Sequence, residues 1–245
     1  MKPVYLQLYS MREEMAKDCI GTIKKVAKMG YQGVEFAGFP DIPAVELRIV
    51  LDDLGLKTIG SHFGFNDLNN ELQRNLDYMA ALGGKYVVLA YYMTENSDDA
   101  KKAGDFMAGV ANVSKKQGFQ TCYHNHAHEL KKENGKYLLE TLLETAGGDV
   151  YSQLDVYWVE YAGVDTYKYI ESLGRKLLVI HAKEIACAPD RRNVEIGKGY
   201  FDWKKLIMLS RNVGVEDFIV EQEEYTLTPA EECENDYNYL ASIDA

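Results

Sequence analysis

Eight times along this chain of 245 residues a short apolar run is followed by a polar or glycine-containing turn and then by an amphipathic stretch. The runs that read as strands are 4–8, 33–36, 58–62, 86–90, 121–126, 151–155, 177–181 and 218–221. Between the last inward residues of these runs, Gln7, Glu35, His62, Ala90, His124, Asp155, His181 and Glu221, the spacings are 28, 27, 28, 34, 31, 26 and 40. Each spacing is the length of one strand, one helix and the turns that join them. Parallel strands connected in this way cross over right-handedly, and eight such units in about 250 residues is the size at which the sheet closes into a (β/α)8 barrel. The expectation is therefore an α/β chain with one barrel domain over 1–245. An open doubly wound sheet is the runner-up, but no strand leads into a G-x-G-x-x-G turn.

The helical stretches carry their own signals. Leu47, Val50, Leu51 and Leu54, like Leu68, Leu72, Leu76, Met79 and Leu82, repeat at three- and four-residue intervals that gather on one helix face. Thr228-Pro229-Ala230-Glu231 has the order of a capping box with proline at the first helical position. Asp165 and Asp202 are placed to cap two further helices.

Composition narrows the partners. With 38 acidic against 27 basic side chains the formal net charge is −11, the wrong sign for nucleic acid or for an anionic membrane surface. The first apolar run is interrupted by Gln7 and followed by Arg12, Glu13 and Glu14, too short for a signal peptide core or a membrane span. Cysteines at 19, 122, 187 and 233 form no close pair, so neither a disulfide framework nor a zinc knuckle is indicated, and a reducing, cytoplasmic location is expected. The expected partner is a small molecule, and assembly into a homo-oligomer is compatible with it.

In such a barrel the chemistry sits at the carboxyl ends of the strands. Glu35, His62, His124, His126, Glu129, Asp155, His181, Lys183 and Glu221 all fall at or just beyond those ends, as do all five histidines of the chain. Asp155, His181 and Glu221 close three different late strands, and neighbouring strands about 4.8 Å apart can bring three such side chains onto one ion. A fourth ligand would come from the 124–129 segment. Either His124 or Glu129 could supply it; a carboxylate suits a hard ion better, which favours Glu129 and leaves His124 and His126 for substrate hydrogen bonds or proton transfer. A mixed oxygen and nitrogen set fits Mn²⁺, Mg²⁺, Co²⁺ or Zn²⁺. Glu35, His62 and Lys183 are candidates for contacts to substrate oxygens, and Trp158, with Tyr91 and Tyr92, for an apolar floor under the substrate. The Gly197-Lys198-Gly199 turn before Asp202 is a weak phosphate signal.

Several segments, in a fixed order, together carry a family resemblance. They are Leu6-Gln7-Leu8-Tyr9-Ser10 with Arg12, Gly30-Tyr31-Gln32-Gly33-Val34-Glu35, Tyr123-His124-Asn125-His126 with Glu129, and Leu154-Asp155-Val156-Tyr157-Trp158. His181-Ala182-Lys183-Glu184, Ile196-Gly197-Lys198-Gly199 with Asp202-Trp203, and Ile219-Val220-Glu221-Gln222 continue the series. In this order the segments resemble the sugar phosphate isomerase/epimerase family, the xylose isomerase-like TIM barrels, and the resemblance implies a divalent-metal site at the ends of strands five to eight, with Asp155, His181 and Glu221 matching three ligand positions. The family's first ligand is commonly a Glu on strand five, where this chain has His124. Glu184 stands where Asp is usual, and Trp158 where ketose epimerases have a His.

The function implied is metal-dependent isomerisation or epimerisation of a sugar or sugar phosphate by proton abstraction beside a polarised carbonyl. Glu221 is the expected base; Glu129 or a histidine, His124 included, would return the proton. A metal-dependent lyase or hydratase on a keto-sugar or keto-glycoside starts with the same step, and a non-catalytic sugar-binding protein is the third reading. The endonuclease branch is disfavoured by the acidic charge.

Overall fold

The computed structural model describes residues 3–243. Eight parallel strands form a closed barrel: β1 (Val4–Gln7), β2 (Gly33–Ala37), β3 (Lys57–Phe63), β4 (Tyr86–Leu89), β5 (Gln120–His124), β6 (Val150–Asp155), β7 (Leu177–Ala182) and β8 (Asp217–Val220). Each strand pairs with its neighbours in sequence, and the ring closes where Val4, Tyr5 and Leu6 of β1 align with Phe218, Ile219 and Val220 of β8. Every expected strand is present, with ends moved by one or two residues. The fifth run stops at His124, because Asn125 leaves the ladder and its side-chain oxygen accepts the backbone N–H of Asp155 at 3.0 Å.

Alternation along the strands sorts the side chains into two shells. Outward residues such as Leu6, Val34, Val87, Leu154 and Val220 belong to the main apolar core shared with the helices. A second cluster, Tyr5, Ile59, Tyr86, Val88, Cys122, Val179 and Ile219, packs separately. Two positions beyond Tyr5, Cys122, Val179 and Ile219, on the same faces, come Gln7, His124, His181 and Glu221. The barrel interior is thus apolar below and polar at the carboxyl end. The strand pairing shifts register between Val34 and Glu35 and again between Ser152 and Gln153. Such irregularities re-aim side chains, and Glu35 and Gln153 meet across the barrel.

Helices Cys19–Met29, Ala44–Asp53, Leu72–Leu82, Ser97–Ser114, Leu138–Ala146, Thr166–Leu173, Trp203–Val213 and Pro229–Ile243 surround the ring. Asp165 and Asp202 cap two of them by accepting the N–H groups of Lys168 and Lys205, each at 3.1 Å. Thr228 and Glu231 form the capping box of the last helix. The stripe from Leu68 to Leu82 is carried by two helices, since Glu71, at φ −128°, breaks Phe65–Asn70 from Leu72–Leu82. Among the described residues no helix is long and apolar enough to cross a membrane.

Candidate metal centre

At the carboxyl ends of β5 to β8, His124, Asp155, His181 and Glu221 each offer one donor atom, and the four atoms lie within 4.8 Å of one another. All four side chains are buried. Each is fixed by local structure. Asp155 caps the short helix Val156–Tyr161, its Oδ1 accepting the N–H of Trp158 at 3.3 Å, which commits one oxygen and leaves the other. His181 is held on both sides, with Nδ1 3.1 Å from Glu221 Oε2 and Nε2 2.8 Å from Glu35 Oε2. The His124 ring lies 4.8 Å from that of His62 and 4.7 Å from that of His181, with Nε2 3.9 Å from Asp155 Oδ2.

Beneath this group Glu35 organises the barrel interior. Its oxygens accept the side-chain amides of Gln7 and Gln153, each at 2.8 Å, and approach His62 Nε2 at 3.2 Å. Gln153 Oε1 in turn meets His62 Nε2 at 2.6 Å. Burial alone would raise the Glu35 carboxyl, but the imidazoles of His62 and His181 outweigh it and hold it at about 2. Burial disfavours charge on His181, yet its hydrogen bonds to Glu221 and Glu35 hold the ring up at about 10. These two shifts describe one ion pair from its two ends.

Asp155 differs. Burial pushes its carboxyl up to about 7 against the pull of Lys183, and its Oδ2 is buried without a hydrogen-bond partner among the described residues. Lys183 Nζ stands 3.7 Å from that oxygen and 3.9 Å from Glu221 Oε2, and bonds Glu223. A buried carboxylate oxygen lacking a partner, facing a second carboxylate and two imidazoles, is the donor chemistry that a divalent cation satisfies. The residues present fit such an ion.

Glu129, expected as the fourth ligand, is not brought into this group. The turn His128–Leu130 folds its carboxylate back under the loop, where it accepts Tyr123 Oη–H at 2.6 Å and the N–H of His126 at 2.9 Å. With both oxygens so engaged it braces the loop, and His124 stands in the group instead.

Above the four donors opens a cleft of about 370 Å³, whose lining includes His62, His124, His126, Glu221, Glu223 and Tyr91. Of the five side chains expected to touch substrate, His62 and His126 line it. Glu35 lies below it. Lys183 lies behind it, 5.1 Å from the Trp158 ring, and Trp158 packs 5.4 Å from His126. Burial keeps His126 down at about 4, so its ring is neutral at pH 7. Glu223 and Gln153 were not among the site residues expected from the sequence; strand parity with Asp155 marks Gln153, whereas Glu223 lies beyond the end of β8. Glu184 faces away from the site, accepting the N–H groups of Ile185, Gly197, Tyr200 and Phe201 and the Trp203 indole. The Gly197 amide is therefore committed to Glu184 rather than open to a phosphate.

The chain is 23% identical to a sugar phosphate isomerase/epimerase from Parabacteroides distasonis ATCC 8503, at a TM-score of 0.82 with 98% of this chain and 93% of that one covered. An L-ribulose 3-epimerase superimposes with a TM-score of 0.77 at 14% identity, over 100% of this chain and 95% of the other. The IOLI protein, solved with a bound zinc atom, does so at 0.78 and 15%, over 99% and 98%. At these identities the likeness is one of fold. No curated protein matches the sequence. The model of the xylose isomerase-like TIM barrel family matches residues 23–243, and the chain belongs to that family.

Proposed function

We propose that this protein is a divalent-metal-dependent sugar isomerase or epimerase that removes a proton from the carbon beside a carbonyl. The observation that carries the reading is the convergence of His124, Asp155, His181 and Glu221 on one point beneath a substrate-sized cleft. A divalent cation held there supplies Lewis-acid stabilisation of negative charge on the carbonyl oxygen.

The chain's own residues do the rest. Burial would raise the Glu221 carboxyl, but Lys183 and the His181 hydrogen bond outweigh it and keep it well below the usual carboxylate range. It is therefore ionised at neutral pH and lines the cleft, as a base must. His126, neutral and on the cleft wall, is the residue we assign to proton exchange at the opposite face. His62, steadied from below by Glu35 and Gln153, contacts substrate oxygens. Lys183 balances the charge of the carboxylates and fixes Glu223 at the cleft wall.

The test is incubation of chelator-stripped and metal-reloaded protein with free and phosphorylated ketoses in deuterated water. The expected result is deuterium at the carbon next to the carbonyl, with the isomer or epimer as product, lost on chelation and regained with Co²⁺. Turnover indifferent to chelation would eliminate the mechanism. An elimination product would move the assignment to a lyase.

A further inference from the structure

We infer that the centre selects nitrogen-preferring first-row dications, Zn²⁺ and Co²⁺ foremost, over Mg²⁺, Ca²⁺ and Mn²⁺, with His124 as the residue that sets the preference. The inference rests on the proposed metal-dependent reading and names the ion class that the site takes.

Three features argue for it. The first is the donor set. Two of the four convergent side chains, His124 and His181, are imidazoles, a ligand type that suits zinc and cobalt, whereas Mg²⁺ and Ca²⁺ seek oxygen. The second is the small number of available atoms. Asp155 has Oδ1 committed to the Trp158 N–H and presents Oδ2 alone, so it cannot chelate through both oxygens. His181 has Nε2 engaged by Glu35 and turns Nδ1 toward Glu221. Two imidazoles that give one atom each and an aspartate limited to one suit a low-coordinate ion, and together with Glu221 they fall short of the six to eight oxygens that Ca²⁺ gathers. The strands hold them in place: Asp155 is in register with His181, and the Glu221 N–H bonds the Ala182 carbonyl at 3.1 Å.

The third is charge. Lys183 Nζ, 3.7 and 3.9 Å from oxygens of Asp155 and Glu221, offsets part of the carboxylate field. A hard ion is bound largely through that field and is disfavoured by a neighbouring ammonium, while a metal–imidazole bond is less affected. A carboxylate in place of His124 would restore both an oxygen donor and a negative charge.

The experiment is equilibrium dialysis of the stripped full chain against Zn²⁺, Co²⁺, Mn²⁺ and Mg²⁺ singly, with the absorption spectrum of the Co²⁺ form and the His124→Glu variant alongside. We expect Zn²⁺ and Co²⁺ to bind at least about 100-fold more tightly than Mn²⁺, with an intense low-coordinate Co²⁺ band. His124→Glu should shrink the zinc-to-manganese ratio by about tenfold or more. Mn²⁺ or Mg²⁺ binding within about tenfold of Zn²⁺ in the unaltered chain would overturn the inference while leaving metal dependence standing. So would an unchanged ratio in a folded His124→Glu. Should that variant not fold, the ratio and the Co²⁺ spectrum of the unaltered chain decide alone. Failure to bind any ion would overturn this inference and the proposed function together.

Discussion

Glu35→Gln removes one charge from the centre of the barrel while keeping the shape of the side chain, and its consequence can be worked from the contacts. The carboxylate is fully buried and accepts from Gln7, Gln153 and His181, each at 2.8 Å. An amide has one acceptor oxygen. If its NH₂ takes the Oε1 place it faces the Gln153 amide donor; if it takes the Oε2 place it faces the Gln7 amide and His181. Loss of a charge-assisted hydrogen bond costs about 1.5–3 kcal/mol, and an opposed donor adds about 1–3 kcal/mol. The ionisation gives a second route to the magnitude. A carboxyl held at about 2 rather than 4.5 is stabilised by about 3 kcal/mol when ionised, at 1.36 kcal/mol per unit.

The two routes overlap and are not added. The expected loss is about 3 kcal/mol at pH 7, or roughly 6–12 °C in Tm for a chain of this size. The sign with pH follows from the lowered value. The contribution is complete above the unfolded carboxyl value of 4.5 and is lost as pH falls toward about 2. The gap between the parent chain and Glu35→Gln should therefore narrow in acid, to roughly half by pH 3. Urea unfolding of metal-free protein measured down a pH series reads both quantities. A loss below about 1 kcal/mol at pH 7, or a gap that stays constant into acid, would refute the argument that a buried anion holds these three partners.

Two further perturbations separate chemistry from scaffold. Glu221→Gln, which removes both the proposed base and one of the four metal donors, should lower turnover by at least about 10² to 10⁴ while the circular dichroism of the barrel is kept, and near-normal turnover would place the base elsewhere. Glu184→Ala withdraws one acceptor group from five N–H donors, four backbone amides and the Trp203 indole. It should destabilise the chain by about 3–5 kcal/mol in urea unfolding, and a loss within about 0.5 kcal/mol would show that water replaces those bonds without penalty.

The barrel was legible in the sequence because its cause is periodic. Apolar alternation, helix stripes and caps are local, they recur at one unit length, and all eight strands appear where the runs lie. Residue type at the strand ends marked Asp155, His181 and Glu221 for the same reason: strand parity aims each one inward, and the ring brings successive strand ends together. The exchange of Glu129 for His124 was not legible. Both lie within reach of the mouth along the chain, and the choice depends on a single turn that hands Glu129 to Tyr123 and the His126 amide. Nor could local pattern reveal that Glu35, on the second strand, meets Gln153 and His181 across the barrel, 118 and 146 residues away. Sequence determines which side chains face the interior, because that follows from backbone geometry over a few residues. Which of them share a proton, a charge or an ion is decided only when the sheet closes and sets distant strand ends within hydrogen-bond reach.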